Sequence, residues 1–521
     1  MKTKAPCVTG KKLFHGRVTP GKKPGFALVC IVLTMLFSTT CLEPTGRLAV
    51  PVSDLDEGLT VTVLPALTGY QQGYPFEADG IEVVLNDGGW VRNVTQGIRF
   101  SWYGGGLLND GTDTAVTSQP GTWEITVSYD YAGRNFRTSF MIDVFTNHFI
   151  VTDGASWAAA VNHIDTHGED RSFFITVRGN VQIPAVNSAT IPNRADGLTV
   201  TLQTVRGEEA RLFPDPAGST GSLLYVAAGQ TFIIDGAGLT LAGNPSNDKA
   251  LVFVDGSGAR LELKNGKVTG NTNRSAKGSS GIGYDDLEGN GGGVRVDGGY
   301  FVMSDGEVSG NTADFGGGVY VNGGRFDMTG GKVSGNESTT ILMSGGGNHG
   351  GGGVMVNGDG TFTMSGRSSV SGNVAKGAGG GVMIAKGTLT MLDESRISGN
   401  ESVNVGGGVF LGVSAGTVVP AYLNMRGGVI GGNRAWQGAG IYLYYNHGLQ
   451  VQDGTVYGSD GPADLANMAS DEGAAIITFG SISPGKYGTF DSADVFTQTT
   501  PGGEFDRTVE DTVRVVNGYR K

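Results

Sequence analysis

The most regular feature of this chain is an alternation of apolar and polar positions that recurs in similar copies between residues 250 and 480. Each copy reads Gly-Gly-Gly-Val-x-Val, a turn, Phe-x-Met, a second turn and Val-Ser-Gly-Asn, as in 291–311 and 316–336. Alternation with a period of two is typical of β-strands, because successive side chains point to opposite faces. The pattern therefore predicts three short strands per copy.

The spacing of the copies predicts how the strands are arranged. The valines after the glycine triplets stand at positions 294, 319, 354, 382 and 409, so the gaps between them are 25, 35, 28 and 27 residues. A period near 25 residues, lengthened by insertions, fits one turn of a strand solenoid and does not fit helical repeats or propeller blades. We predict an all-β protein with a right-handed three-sided parallel β-helix over residues 148–480.

The alternation also assigns an inner face to each strand. In the copy at 291–311, the inward residues are predicted to be Val294, Val296, Phe301, Met303 and Val308, and their counterparts in other copies are predicted to stack on them. The Ser-Gly-Asn turn places asparagines at equivalent sites, where we predict a structural ladder of side-chain amides. These asparagines are Asn271, Asn311, Asn336, Asn373, Asn400 and Asn433.

A row of residues between the inward positions of the first strands is predicted to point outward. This outer row consists of Arg295, Tyr320, Met355, Met383, Phe410 and Tyr442. Coils of a β-helix rise by about 4.8 Å, so the row would extend over roughly 25 Å of one face. Exposed aromatic and methionine side chains tend to mark a ligand groove or an interface, and we predict a binding face here. The alternative is that the insertions at 276–290 and 338–350 fold over the row.

Two further segments precede the repeat. A helix is predicted at 156–166, with Ser156 as its N-cap and apolar residues on one face, and it would cap the open end of the β-helix. Residues 56–147 contain short alternating strands, such as 59–64 and 123–129, and predict a small β-sandwich.

The order of motifs in 56–147, with Tyr70, Tyr74-Pro-Phe76 and Trp123-Glu-Ile-Thr-Val-Ser-Tyr129, resembles that of bacterial immunoglobulin-like domains. The resemblance implies a spacer that sometimes binds ligands. Ser309-Gly-Asn-Thr-Ala-Asp-Phe-Gly-Gly-Gly-Val-Tyr320 resembles the repeats of chlamydia-type polymorphic outer-membrane adhesins and of spirochaete β-helical surface lipoproteins, which implies a pectin-lyase-like solenoid. Two departures are that the tetrapeptide opens with Val or Ile instead of Phe, and that no long alternating tract typical of a membrane barrel follows residue 480.

The N-terminal 40 residues have the features of a secretion signal. A basic segment through Lys23 precedes an apolar run at 26–37, which is too short to span a bilayer. Small residues before Cys41 resemble a bacterial lipobox, which implies that Cys41 is lipidated and becomes the mature N-terminus. The alternative is ordinary cleavage, which leaves Cys41 as a plain thiol. Residues 41–55 are predicted to be a linker and 481–521 a C-terminal cap or tail.

Composition and charge exclude several classes of protein. Although 91 of 521 residues are glycine, there is no strict three-residue period and only 17 prolines, which excludes collagen. A hydrophobic content of 39% argues against disorder. After removal of the signal, with its seven basic and no acidic residues, 37 − 7 = 30 basic residues face 49 acidic ones, a net charge of −19. Such a chain repels phosphate backbones, so no nucleic-acid partner is predicted.

Candidate chemistry is sparse. Parallel β-helices also carry polysaccharide lyases and glycoside hydrolases, and the weak catalytic candidates are Asp285 and Asp286, next to Glu288, and His349. No catalytic motif set is present, and no cofactor or metal is predicted. The prediction is a non-catalytic surface lipoprotein, anchored in the outer membrane by its lipid or otherwise secreted, that binds a host or environmental glycan or protein. The alternatives are an extracellular lyase or hydrolase and a structural envelope protein.

Overall fold

The structure is a computed structural model in which 56% of the chain is strand and 4% is helix. It describes residues 57–72, 74–88, 90–102, 107–108, 111–112, 114, 116–118, 121–145, 147–166, 172–193, 197–215, 220–275, 288–341, 350–412, 421–444, 447–471, 473–479, 507–509, 513–516 and 519–520.

An N-terminal β-sandwich comes first. Its strands are β1 (Gly58–Val63), β2 (Gly69–Gln71), β3 (Glu82–Asn86), β4 (Val91–Val94), β5 (Arg99–Trp102), β6 (Leu107–Leu108), β7 (Gly121–Tyr131) and β8 (Arg134–Phe145), with a short 3-10 helix at Val116–Ser118. One sheet has the order β1-β3-β4 and the other β2-β8-β7-β5-β6. Tyr70, Phe76 and Ile125 lie in the shared apolar core, and the Tyr70 hydroxyl donates to the Glu77 carbonyl at 2.9 Å.

A single helix then closes the end of the solenoid. Strand β9 (His148–Val151) is followed by α1 (Gly154–Thr166), which begins two residues before the predicted start. The N-cap is Asp153, whose Oδ1 accepts the Ser156 backbone N–H at 2.8 Å, and not Ser156 itself. Trp157, Ala160 and Ile164 of α1 pack into the solenoid core, because their spacing puts them on one face of the helix.

The solenoid strands up to the first clear copy of the repeat are β10 (Ser172–Val177), β11 (Gly179–Ile183), β12 (Thr199–Thr204), β13 (Ala210–Pro214), β14 (Leu224–Val226), β15 (Thr231–Ala242), β16 (Val252–Asp255), β17 (Arg260–Thr269) and β18 (Thr272–Asn273). The strands that follow are β19 (Val294–Asp297), β20 (Tyr300–Met303), β21 (Glu307–Ser309), β22 (Thr312–Ala313), β23 (Val319–Asn322), β24 (Arg325–Met328), β25 (Lys332–Ser334), β26 (Glu337–Ser338), β27 (Val354–Asn357), β28 (Gly360–Met364), β29 (Ser369–Ser371), β30 (Val374–Ala375), β31 (Val382–Ile384), β32 (Gly387–Ser398), β33 (Glu401–Ser402), β34 (Val409–Leu411), β35 (Ala421–Gly431), β36 (Arg434–Ala435), β37 (Ile441–Tyr444), β38 (Gly448–Val456), β39 (Met468–Ala469) and β40 (Ile476–Phe479).

These strands form three parallel sheets, as a three-sided β-helix requires. The triplet sheet consists of the strands after the glycine triplets and their equivalents, β14-β16-β19-β23-β27-β31-β34-β37-β40. The short sheet consists of two-residue strands in the order β18-β22-β26-β30-β33-β36-β39. The long sheet contains the remaining solenoid strands.

The assignment of strands to sides differs from the prediction in one respect. The Phe-x-Met and Val-Ser strands, predicted as two sides, belong together to the long sheet, because β17 pairs with both β20 and β21. Strands β32 and β35 run through the intervening bend without interruption. The third side is the short sheet, which begins immediately after the Ser-Gly-Asn turn.

The solenoid interior is built from like residues stacked on like. Phe301, Phe326 and Phe362 lie in successive coils with ring centroids 4.6 and 4.7 Å apart and nearly parallel planes. The inward valines Val294, Val319 and their register partners are fully buried. One apolar cluster runs from Phe149 to Ile476, so the solenoid has a single core.

Both ends of the solenoid make further contacts. At the C-terminal end, β41 (Arg507–Val509) pairs antiparallel with β40, β42 (Val513–Val516) pairs antiparallel with β38, and β43 (Tyr519–Arg520) pairs with β42. At the other end, Arg178 of the solenoid joins Glu77 of the sandwich at 2.6 Å and Glu208 at 2.7 Å. The sandwich is therefore docked on the first coils by a half-buried ion-pair network.

Candidate functional site

The outer row is buried, so the prediction that it forms an exposed binding face is wrong. Arg295, Tyr320, Met355, Met383, Phe410 and Tyr442 are all at most 6% exposed. From Tyr320 onward the row belongs to a second apolar cluster, outside the solenoid interior, together with Phe315, Ala378, Ala385, Val405 and Ile477. The row is thus part of a second core.

The glycine triplets contribute to this burial, whereas most of the two insertions at 276–290 and 338–350 lies outside the described residues. The first glycine of each triplet has a positive φ, for example +67° at Gly379 and at Gly406. A Cβ on Gly379 would lie 2.9 Å from the Cβ of Met383, and one on Gly406 would lie 2.8 Å from the Cβ of Phe410. The chain therefore folds back over the outer face of the strand that follows, in a conformation that only glycine adopts without strain.

The residue before each triplet completes the cover. Phe315, Ala378 and Val405 form single-residue bridges from coil to coil, such as Ala378 with Val405, and all three pack in the second apolar cluster. A side chain that points away from the interior is therefore still enclosed, between its own sheet and the returning chain.

The predicted asparagines form a continuous ladder. From Asn311 onward, the side-chain amide Nδ2 of each donates to Oδ1 of the next, at 3.1 Å from Asn311 to Asn336 and at 2.9 Å from Asn336 to Asn373. Asn271 joins the ladder through its backbone N–H, which donates to Oδ1 of Asn311, while its Nδ2 donates to backbone carbonyls. The same Oδ1 atoms accept the backbone N–H of the preceding asparagine. Asn247 and Asn467 extend the ladder at its two ends. They were not predicted, because neither follows a glycine, as every predicted ladder asparagine does. The ladder satisfies buried polar groups and is structural.

A cluster of carboxylates and one arginine lies where the outer row begins. Asp255 and Asp297 are register partners on adjacent strands, and the Tyr225 hydroxyl donates to Asp255. The guanidinium of Arg295 is held by Asp297 at 2.7 Å. Burial raises the pKa of Asp297 above its usual value, although Arg295 opposes this shift. Because Arg295 is almost fully enclosed and committed to Asp297, this cluster presents no free cation to a substrate.

The structure does not describe the predicted catalytic and lipidation residues. Asp285, Asp286, His349 and Cys41 lie outside the described residues. Glu288 accepts a hydrogen bond from the Ser275 hydroxyl at 3.1 Å. Among the residues that the structure describes, no group of three or more His, Cys, Asp or Glu side chains is placed to hold a metal ion.

His447, in a Tyr-Tyr-Asn-His-Gly segment, has a structural position. Its Nδ1 accepts the backbone N–H of Ala421 at 3.0 Å. Burial lowers the pKa of this imidazole to about 4, so the ring is neutral at neutral pH. A neutral, enclosed ring that accepts a backbone hydrogen bond contributes to packing and not to a site.

An open groove lies instead on the outer face of the short sheet. It has a volume of about 510 Å³ and is lined by Glu401, Ser402, Val403, Arg434, Ala435, Trp436, Met468, Ala469 and Ser470. Trp436 is 51% exposed, Val403 54% and Met468 44%. Large apolar side chains with this exposure, gathered in one concave place, are typical of a binding surface.

The position of Trp436 follows from the local repeat. In each coil of the short sheet the third residue after the ladder asparagine directly follows the two-residue strand. This position holds Arg274, Asp314, Thr339, Lys376, Val403, Trp436 and Ser470 in successive coils. The apolar side chains occur in two adjacent coils only, and comparison of this position between copies was the signal that could have located the groove.

Polar groups flank the tryptophan. Glu401 and Arg434 are register partners on β33 and β36, and both are exposed. The backbone of Trp436 is hydrogen-bonded to both neighbouring coils. Its N–H donates to the Asn404 backbone carbonyl at 2.9 Å, and its own carbonyl accepts the Asp471 backbone N–H at 2.9 Å. The groove thus combines an exposed aromatic ring on a hydrogen-bonded backbone with a carboxylate and a guanidinium.

A second groove, of about 590 Å³, lies on the N-terminal sandwich. Its walls include Ile81, Ile98, Phe100 and Leu107, of which Leu107 is exposed. Its lining contains one charged residue, Arg99, whose guanidinium is engaged by Asp130. The groove on the short sheet therefore offers the richer combination of polar and aromatic groups.

Comparisons with known proteins add no relatives. No family model matches the chain, and neither a curated protein nor a solved structure matches it. Within the described part of the chain, no helix has the length and apolar character needed to cross a bilayer.

Proposed function

We propose that this chain is a non-catalytic cell-surface protein whose β-helix presents a lateral groove to an extracellular ligand, in adhesion or capture. The single observation that carries the proposal is the exposure of Trp436, Val403 and Met468 together in the groove. Binding energy at protein interfaces is concentrated in a few residues, among which tryptophan, like Trp436 here, is enriched. The lipid anchor at Cys41 and the spacer role of the N-terminal sandwich complete the proposal, and both rest on the sequence.

The proposal is tested by binding of the purified protein to printed glycans and to immobilised mucin, fibronectin and collagen. We expect at least one of these probes to be bound, and the double substitution Trp436→Ala with Val403→Ser to weaken that binding at least tenfold. Trp90→Ala is the matched control, because Trp90 is an exposed tryptophan on the sandwich, far along the chain from the groove. Absence of binding to every probe, or equal binding by the groove variant, would overturn the proposal.

The anchor is tested separately in a bacterial expression host. We expect the protein to incorporate labelled palmitate and to partition into detergent, and Cys41→Ser to abolish both properties. Secretion of the unlabelled wild-type protein into the medium would instead support ordinary cleavage of the signal.

A lyase or hydrolase remains the alternative function, and the specific observation in its favour is the pairing of Asp255 with Asp297 beside Arg295. Release of unsaturated or reducing sugars from polysaccharides, lost in Asp297→Asn, would establish it. We expect no release, because the guanidinium of Arg295 is committed to Asp297.

A further inference from the structure

We infer that the groove is a saccharide site that takes a neutral pyranose ring against Trp436. The inference rests on the proposed function, because it assumes that the groove binds a ligand, and it names the chemical class of that ligand. Three properties of the groove carry it: the mounting of the indole, the pairing of charges beside it and the size of the cavity.

The indole of Trp436 is an exposed ring carried on a hydrogen-bonded backbone. Its backbone is pinned by Asn404 on one side and by Asp471 on the other, and half of its surface remains open. The face of an aromatic ring carries partial negative charge, which attracts the partially positive C–H groups on one face of a pyranose. Because the backbone is already hydrogen-bonded before binding, stacking of a sugar on the ring requires no ordering of the main chain.

The charges beside the indole suit hydroxyl groups. Glu401 can only accept hydrogen bonds and Arg434 can only donate them, and the two residues lie opposite each other on neighbouring strands, about 5 Å apart at the backbone. Hydroxyl groups both donate and accept, so two neighbouring hydroxyls of one sugar ring can satisfy both side chains. The opposite charges also compensate each other, so the groove has no excess charge with which to select an anionic ligand.

Two further charged side chains near the groove add no cation to it. The carboxylate of Asp471, next to the Trp436 carbonyl, accepts a hydrogen bond from the Gln437 side-chain amide at 2.7 Å. Lys376 lies two coils from Trp436 and forms an ion pair with Glu337 at 3.2 Å. Of these charged side chains, Lys376 is paired and Asp471 is negative, so a neutral ligand fits this part of the short sheet better than an acidic one.

The size of the groove favours a short saccharide over a protein partner. A volume of about 510 Å³ falls within the range of small-molecule sites, roughly 300–1,000 Å³. A stable protein interface buries about 800 Å² on each partner, which three exposed apolar side chains do not supply. Two or three sugar units are therefore the expected occupant.

The test is calorimetric titration of the purified full protein with neutral trisaccharides, namely cellotriose, xylotriose, mannotriose and chitotriose. A β-1,4-linked trimer of glucuronic acid serves as the charged counterpart of cellotriose, since the two differ only at C6. We expect at least one neutral trisaccharide to bind, and Trp436→Ala to weaken it at least tenfold. Trp90→Ala should leave its affinity unchanged, and Trp436→Phe, which keeps a ring, should lose less than Trp436→Ala.

A second variant separates a binding role of the polar pair from a structural one. Glu401→Gln removes the compensating charge and leaves Arg434 unopposed, so we expect the affinity for the glucuronic acid trimer to rise severalfold relative to cellotriose. A general loss of structure would not produce this change of preference. Unchanged relative affinity in Glu401→Gln would overturn the role assigned to the charge pair.

The outcomes distinguish the inference from the proposed function. If mucin, fibronectin or collagen binds through Trp436 while no trisaccharide binds, the saccharide inference fails and the proposed function stands. If trisaccharides bind equally well to Trp436→Ala, the inference fails because the sugar site lies elsewhere. If neither saccharides nor proteins bind through the groove, both fail.

Discussion

The outer row on the triplet sheet and the groove on the short sheet are both formed by side chains that point away from the solenoid interior, yet one is closed and the other open. Phe410 of the outer row is fully buried, whereas Trp436, in the following coil, is half exposed. Both residues are aromatic, and Phe410 lies in a short parallel strand whereas Trp436 directly follows one. Strand alternation by itself therefore does not determine their exposure.

The difference arises from the chain that precedes each strand. Strand β34, which carries Phe410, follows a glycine triplet that folds back over it, and Val405 completes the cover. Strand β36, which begins at Arg434, directly follows the ladder residue Asn433, and the side chain of Trp436 stays open to the groove. A returning loop converts an outward face into a second core, and a face without such a loop stays available for ligands.

The largest expected effect comes from truncating one aromatic residue on each face. Phe410→Ala should lower the free energy of unfolding by about 3–5 kcal/mol, because it leaves a cavity in the second core. Trp436→Ala should change it by less than about 1 kcal/mol, since half of the ring is already in water. Denaturant unfolding followed by circular dichroism measures both, and similar losses would contradict the distinction between the two faces.

The glycine cover should be the next most sensitive element. In Gly379→Ala the new Cβ would sit on a residue with left-handed φ and only 2.7 Å from the Val382 carbonyl oxygen. The free energy of unfolding should therefore fall by about 3 kcal/mol. Gly372 is the matched control, because its φ of +64° is similar but a Cβ there would meet no atom within 4 Å. Gly372→Ala should cost about 1–2 kcal/mol, from backbone strain alone. Thermal unfolding of the two variants would show equal shifts if the triplets did not pack on the outer row.

Low pH should destabilise one end of the covered outer face of the triplet sheet. His447 lies beside Gly412 and Tyr444, where Tyr444 packs against the second cluster. Its folded-state pKa near 4 lies below the unfolded value of about 6.5, so the unfolded chain binds more protons as the pH falls through this window. The full free energy of unfolding is therefore expected above about pH 6.5. It should fall by about 3 kcal/mol as the pH falls to about 4.

The contribution of this histidine is isolated by His447→Gln. Measurements of unfolding free energy against pH should give a flatter curve for the variant between about pH 6.5 and 4. His148, whose pKa is also lowered to about 4 by burial, remains in both proteins and cancels in the difference. Parallel curves for the two proteins would show that His447 is accessible to water.

The smallest effect is expected for two valines that stand two residues apart. Val405 lies in the cover of the outer row and Val403 lies in the groove. Val405→Ala should cost about 2 kcal/mol, and Val403→Ala less than about 0.5 kcal/mol. Melting temperatures of the two single variants test this pair, and a larger loss for Val403 would reverse the assignment of closed and open faces.

Much of the solenoid could be predicted from the sequence because its determinants are local and repeated. The spacing near 25 residues follows from the recurrence of the copies, and the inward Phe301 and Phe326 follow from period-two alternation. The asparagine ladder follows from the turn that recurs in each coil. The merging of the second and third predicted strands into one sheet could not be predicted, since a bend in a strand and a turn between strands have similar sequences.

The sites were harder to predict, for a different reason. The outer row was selected because its residues are large, apolar and outward, but these properties also describe a second core. Trp436 was overlooked because the short sheet has only two residues per strand and no visible alternation. The contact of Arg178 with Glu77 joins residues about one hundred positions apart, and no local pattern indicates such a pair.

The sequence by itself determined the period, the inward residues, the asparagine ladder and the class of fold, since each depends on side-chain direction within a strand and on turns that recur in every coil. Only the tertiary structure decided which outward face is closed and which is open. Exposure depends on whether chain that lies outside the strand returns over it. The glycine triplets make that return over Phe410, and the groove leaves Trp436 open to solvent.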